Sequence, residues 1–115
     1  VLVGLRVDLV GLAAAEAVAQ ALSHQSGVAT TVKPPNDVYA LGKSGKGLKI
    51  CGILCEAAGG ERAVDWLVVG IGVNVNNQVS LSTATSLKAA TGCSWSVETL
   101  LAAMLAEFWS RYERL

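Results

Sequence analysis

The residues best suited to chemistry fall in the middle of the chain. Lys33, Lys43, Lys46 and Lys49 make a local excess of positive charge with only Asp37 against it, and glycines flank them. Asn36, Asp37, Asn74 and Asn76 add hydrogen-bonding side chains. A lysine ammonium holds a phosphate as a point charge. An asparagine amide can pair with an adenine edge, and an aspartate can help hold Mg²⁺ through a substrate phosphate. The set therefore suits an anionic, nucleotide-like ligand. A solvated lysine loop would carry the same residues, so the pattern alone leaves both readings open.

Other chemistry lacks its parts. Gly42 to Gly47 resembles a phosphate loop, but the P-loop pattern needs Lys directly after its second glycine, and Leu48 stands there. Gly70-Ile71-Gly72 is half of a dinucleotide fingerprint, with Val75 where the third glycine belongs. His24 has no visible nucleophile partner for a Ser-His-Asp arrangement. Cys51, Cys55 and Cys93 are odd in number and lack zinc-site spacing, so they read as reduced thiols of a cytoplasmic protein.

Composition sets the frame for the elements that position these groups. The 115 residues suit one domain, and 52% hydrophobic with 16% charged residues excludes an intrinsically disordered chain. Net charge is zero, so there is no basic footprint for nucleic acid. The uncharged run Trp66 to Leu87 carries Asn74, Asn76, Asn77 and Gln78, which rules it out as a membrane span. No secretory signal pattern opens the chain. Without an initiating methionine it reads as an excerpt of something longer.

Val1 to Leu5 suggests a short buried strand. Asp8 is the expected cap of an alanine-rich helix with Val10, Ala14, Ala17, Val18, Ala21 and Leu22 as its apolar stripe and Gly27 as its stop. Val28 to Lys33 reads as a strand ended by Pro34-Pro35, with Asn36-Asp37 in the turn. Leu41 to Leu48 is expected to be a mobile loop, Lys49 to Glu56 a strand, and Ala57 to Arg62 a turn. Ala63 to Val75 reads as a long strand. Its alternation puts Leu67, Val69, Ile71, Val73 and Val75 on one face and Trp66, Val68, Gly70, Gly72 and Asn74 on the other. Glycines weaken a strand unless something must approach them, a ligand or a neighbouring backbone. Thr83 to Thr91 and a final helix capped by Ser96, with Val97, Leu100, Leu101, Met104, Leu105 and Phe108 as a core stripe, complete the order. Neighbouring strands joined by short turns imply an α+β fold with a largely antiparallel sheet.

Three blocks, in order, resemble the biotin protein ligases. They are Lys33-Pro34-Pro35-Asn36-Asp37, Lys49-Ile50-Cys51-Gly52-Ile53-Leu54-Cys55-Glu56 and Val69-Gly70-Ile71-Gly72-Val73-Asn74-Val75-Asn76. The family reads K-W-P-N-D, K-x-x-G-I-L-x-E and G-I-G-[VI]-N-x-N at these places. Ala84-Thr85-Ser86-Leu87, a glycine and a last helix resemble the end of its catalytic domain, so the likeness runs from about Leu9 onward.

The resemblance implies a mixed, largely antiparallel sheet flanked by helices, the fold shared with class II aminoacyl-tRNA synthetases and here incomplete. It implies that ATP and biotin, with Mg²⁺, form biotinyl-adenylate, from which biotin passes to a lysine of a carboxylase carrier domain. Lys49 would meet the biotin carboxylate and the α-phosphate and stabilise the developing charge. Gly52, Ile53 and Gly70 would border biotin, Asn36, Asp37 and Asn74 the adenylate, and Asp37 also the metal. Lys49 and Gly52 lie on opposite faces of a regular strand, so the assignment requires a bulge or a backbone contact.

Two departures from the family stand out. Pro34 replaces its tryptophan. The Gly-Arg-Gly-Arg-x-x-Arg-x-Trp loop that members carry upstream, and the small C-terminal β domain of many, are not among these residues. The chain then corresponds to the C-terminal part of a catalytic domain, with weak or no activity alone. Two other functions fit the same residues: lipoate–protein ligation, and a non-catalytic nucleotide-binding or assembly module forming a homodimer through an exposed sheet edge.

Overall fold

In the computed structural model the described residues are 7–42, 45–60 and 63–115. The expected strand Val1 to Leu5 lies outside them. The elements run α1 (Val7–Ser26), β1 (Thr30–Lys33), β2 (Asp37–Leu41), β3 (Gly47–Gly59), β4 (Val64–Val73), α2 (Leu87–Thr91) and α3 (Val97–Tyr112). The four strands form one sheet in the order β1-β2-β3-β4, each pair antiparallel. A parallel bridge, Lys49 to Ala84, lies outside the named strands.

Alanines make α1 a close-packing helix. Val10, Ala14, Val18 and Leu22 are wholly buried, and small side chains let the helix axis lie near the sheet and α3. Asp8 sits inside the first turn of α1, where its charge suits the dipole, and not at a cap. Gly27 stops the helix as expected. Its φ of 78° is left-handed, and its N–H donates to the Ser23 carbonyl at 2.8 Å.

The largest correction is β2. Asp37 opens a strand and does not end a turn, because Val38 and Ala40 point into the core while the backbone pairs on both sides. The chain turns back through Pro34, Pro35 and Asn36 to make this hairpin. The expected loop shrinks accordingly: Leu41 belongs to β2 and Gly47 and Leu48 to β3, while Lys43 and Ser44 lie outside the described residues. β3 also runs on through Ala57, Ala58 and Gly59, held by β4, where a turn was expected; Glu61 and Arg62 are outside the described residues.

Only the second half of the expected Thr83–Thr91 helix forms. Thr83 lies in a turn and Ala84 bridges to Lys49, whose N–H donates to the Thr83 carbonyl at 3.0 Å and whose carbonyl accepts from Thr85 at 2.9 Å. Ser86 then caps α2 by accepting from the Ala89 N–H, and Gly92 ends it at φ 81°. Ser96 caps α3, as expected, by accepting from Thr99.

The α3 stripe divides. Leu100 and Met104 are buried against the core, whereas Val97, Leu101 and Leu105 are each more than half exposed. They border a groove of about 330 Å³ whose other wall is Val69, Ile71, Val73 and Val75. The reason is position: α1 covers β1 to β3, and α3 packs on α1 more than on the far strand β4.

Candidate functional site

Backbone register brings the candidate residues into rows. Lys33 pairs with Asp37, Asp37 with Gly52, and Gly52 with Gly72, so four residues from four strands lie side by side. Tyr39 pairs with Lys49, and Leu54 with Gly70. Val38 and Ala40 face the helices, which puts Asp37 and Tyr39 on the opposite, open face. Leu54, Trp66, Val68, Gly70 and Gly72 are exposed there.

The required bulge is present. Val38 pairs with Cys51 and Tyr39 with Lys49, which leaves Ile50 without a partner on β2. Ile50 and Cys51 are consecutive and both buried, so the strand gains one inward residue. Lys49 and Gly52 thereby share a face: a Cβ at Gly52 would lie 3.5 Å from both Cε and Nζ of Lys49.

Lys49 Nζ meets Asp37 Oδ1 at 3.1 Å, with the two side chains 45% and 35% exposed. A pair this open contributes little to stability, roughly 0–1 kcal/mol. Its effect is positional. Asp37 holds the ammonium beside Gly52 while leaving it accessible to an anion.

The glycines form a bare floor. A Cβ at Gly72 would meet only the Gly52 carbonyl, at 3.9 Å, and one at Gly70 only the Leu54 carbonyl, at 3.4 Å. Neither contact excludes a methyl group, so packing among the described residues does not account for these two glycines. That favours the reading in which something approaches this face.

Other candidates are placed differently. Ile53 is buried in the core, facing away from the floor; its N–H donates to the Asn36 carbonyl at 2.8 Å. The Asn36 side chain lies toward α1, since a Cβ at Gly11 would be 3.4 Å from its Oδ1. Asn74 follows β4, with Oδ1 accepting from Asn77 Nδ2 at 3.0 Å and its N–H donating to the Ile50 carbonyl at 2.9 Å. Asn76 is structural: its amide donates to the Trp95 carbonyl and accepts from the Trp95 N–H, both at 2.8 Å. The structure thus unites Lys49, Asp37, Gly52, Gly70 and Gly72, and sets the Asn36 and Ile53 side chains apart from them.

Sequence reasoning missed Tyr39 and Leu54 on the open face. The signal was the alternation Asp37-Val38-Tyr39-Ala40, too short to register without its partners.

Burial pushes the Cys51 thiol up to about 12; the Asp37 carboxylate adds to the rise and Lys49 opposes it. Burial also raises Cys55. Neither is a nucleophile near neutral pH, and all three cysteines are free thiols. Among the described residues no group of three or more His, Cys, Asp or Glu could hold a metal by itself, and no helix is long and apolar enough to cross a membrane. The groove between β4 and α3 carries no charged or hydrogen-bonding side chain, so it offers no chemistry despite its shape.

A sheet with helices on one face and a lysine-edged glycine floor on the other defines an α+β protein with one sheet face left open. The sequence matches the model of the biotin/lipoate A/B protein ligase family over residues 1–74, and the chain belongs to that family. It is 42% identical over 67 residues to the bifunctional ligase/repressor BirA of Bacillus subtilis, an alignment covering 58% of this chain and 19% of that protein. The fold is similar to the biotin protein ligase of Aquifex aeolicus, with TM-score 0.77, 28% identity, 94% of this chain and 46% of that one covered. It is equally similar, at TM-score 0.77 and 25% identity, to that ligase in complex with biotin and ATP, covering 96% of this chain and 45% of that one. The chain therefore spans less than half the length of these solved ligases.

Proposed function

We propose that this chain is the C-terminal part of a biotin protein ligase catalytic domain, and that its open face binds biotinyl-adenylate. The observation that carries this is the Lys49 ammonium, held by Asp37 at 3.1 Å beside a glycine floor that packing does not require. Family membership and the likeness to a ligase bound to biotin and ATP support it.

In this reading biotin lies over Gly52 and Gly70, where a side chain would intrude. The apolar Leu54 borders it, and Ile53 backs the floor from the core side. Lys49 draws the biotin carboxylate and the ATP α-phosphate together. A carboxylate oxygen attacks the α-phosphorus, the bond to the bridging oxygen breaks, and pyrophosphate leaves with its electron pair. Lys49 stabilises the negative charge that accumulates in that step, because its ammonium is already in place. The ε-amine of a carrier-domain lysine then attacks the acyl carbon and AMP departs. Asn36 and Asn74 border the adenylate, Asn36 through the main chain that Ile53 holds.

Asp37 is a single carboxylate, which suits Mg²⁺ carried on substrate phosphates and not a protein cage. Such an ion would neutralise phosphate charge when bound. The upstream arginine-rich loop of the family supplies further preorganised donors, and each such donor typically accounts for several kcal/mol. The 115 residues alone accordingly have weak or no ligase activity. Reduced thiols accord with a cytoplasmic protein.

The family model also spans lipoate ligases, so selectivity is the test. Calorimetric titration with non-hydrolysable biotinyl- and lipoyl-adenylate analogues should give saturable binding that prefers biotinyl and is lost in Lys49→Ala. Tighter lipoyl binding, or equal affinity of Lys49→Ala and the parent chain, contradicts the reading.

A further inference from the structure

Lys33 belongs to the same open face yet has no part in the reaction as described. It stands opposite Asp37 in register, at the outer end of the row Gly72, Gly52, Asp37, Lys33. Its Nζ lies 5.4 Å from the ring centroid of Tyr39, the residue that pairs with Lys49. The carboxylate of Asp37 is engaged by Lys49. The Lys33 charge is thus steered by an aromatic face, and among the described residues no acid pairs with it.

The direction of the row matters. Strands lie about 4.8 Å apart, so biotin over Gly52 and Gly70 is on the β3–β4 side of the Lys49–Asp37 pair and Lys33 is on the far side. Displacement at the α-phosphorus is in line: the attacking and leaving oxygens occupy opposite ends. A carboxylate arriving from the β3–β4 side sends the leaving group toward β2 and β1. Pyrophosphate leaves with several negative charges, and cations placed where that charge appears are what phosphoryl-transfer sites use. Asp37 partly offsets Lys49, so the next cation along this path is Lys33.

We propose that Lys33, held over the Tyr39 ring, binds the β- and γ-phosphates of ATP and the departing pyrophosphate. This rests on the reading of the open face as an adenylate-forming site. The chemistry is that already given: the new bond joins the biotin carboxylate oxygen to the α-phosphorus, and the broken bond leaves its electron pair on pyrophosphate. Lys33 changes no covalent bond.

The test uses the 115-residue chain and two probes, magnesium pyrophosphate and a non-hydrolysable biotinyl-adenylate analogue, which lacks the β- and γ-phosphates. Lys33→Gln should weaken pyrophosphate binding at least about fivefold and change the analogue's Kd by less than about twofold, with Lys33→Arg restoring most of the loss. Tyr39→Leu should reproduce part of it and Tyr39→Phe none, since only the ring is needed. Lys49→Ala should weaken both probes. A parent chain that binds the analogue but not pyrophosphate overturns the role of Lys33, as does Lys33→Gln with unchanged pyrophosphate affinity. An equal loss of both probes in Lys33→Gln overturns it too, because that marks a structural effect. Failure of the parent chain to bind the analogue at all overturns instead the underlying reading of the face, and Lys33 with it.

Discussion

Replacing Gly70 by alanine should stabilise the protein while harming its ligand binding, and the opposite signs come from the same geometry. Gly70 is not among the left-handed glycines of the described residues, which are Gly27, Gly45 and Gly92, so its backbone accepts an alanine. The added Cβ meets only the Leu54 carbonyl at 3.4 Å, at the edge of ordinary contact. Restricting the unfolded chain at a compatible glycine is worth about 0.4–1 kcal/mol. For a domain of this size half a kcal/mol corresponds to roughly 2 °C in Tm. On the ligand side the methyl group stands on the floor that biotin is proposed to touch. Inserting such a group into a packed contact costs about 1–3 kcal/mol, which is about a 5- to 150-fold rise in Kd. Thermal melts followed by circular dichroism give the first quantity, and calorimetric titration with the biotinyl-adenylate analogue gives the second. Gly92→Ala is the contrast: its φ of 81° makes the substitution cost about 1 kcal/mol without touching the floor. A Gly70→Ala protein that melts several degrees lower and binds as tightly as the parent would refute the reasoning, since it would make Gly70 a packing glycine.

Further outcomes follow from other parts of the structure. Alkylation at pH 8 should label exposed Cys93 first and Cys51 last, as read by mass spectrometry, because the Cys51 thiol is pushed up to about 12. The same rise has a signed effect on stability. Below the ordinary thiol value near 9 both states keep the proton and nothing is lost; between about 9 and 12 only the unfolded chain ionises, so Cys51 should make stability fall there. Cys51→Ala should flatten that part of a pH series of denaturant melts. Asn76→Ala removes two hydrogen bonds to Trp95 and should cost about 1–2 kcal/mol. Chemical denaturation should show that loss, with ligand affinity unchanged. Leu100→Ala should cost about 2–5 kcal/mol because Leu100 is buried. Its half-exposed neighbour Leu101, changed to alanine, should stay within about 0.5 kcal/mol; equal losses would mean the α3 stripe is core on both sides.

The parts of the fold legible in the sequence were those with a strong local signal. The alanine stripe and Gly27 bounded α1, Ser96 announced α3, and the alternation of β4 separated its core face from its glycine face. The conflict between Lys49 and Gly52 was itself informative: a role shared by both required a bulge, and Ile50 supplies it. What escaped depended on partners. β2 has five residues, of which Val38 and Ala40 alone mark its inner face, and only pairing with β1 and β3 makes it a strand. Thr83 to Ser86 reads as helix by neighbourhood, but Lys49 draws Ala84 into a parallel bridge and holds Thr83 and Thr85 by their backbone groups. The α3 stripe had helical periodicity throughout, yet periodicity cannot say whether a neighbouring layer reaches far enough to cover it. The site followed the same rule. Lys49, Asp37 and the glycines lay in motifs, whereas Tyr39 and the reach of Lys33 across its ring exist only through the β1–β2 register.

In the proposed reading the open glycine face, and not the apolar groove behind it, is the ligand site. Backbone amide chemical-shift mapping of the 115-residue chain during titration with the biotinyl-adenylate analogue tests it most directly. The largest shifts should fall on Lys49, Gly52, Gly70, Gly72 and Asp37, with Leu101, Met104 and Leu105 unmoved. Shifts concentrated along α3 and on Val69, Ile71, Val73 and Val75, the other wall of the groove, would place the ligand there instead.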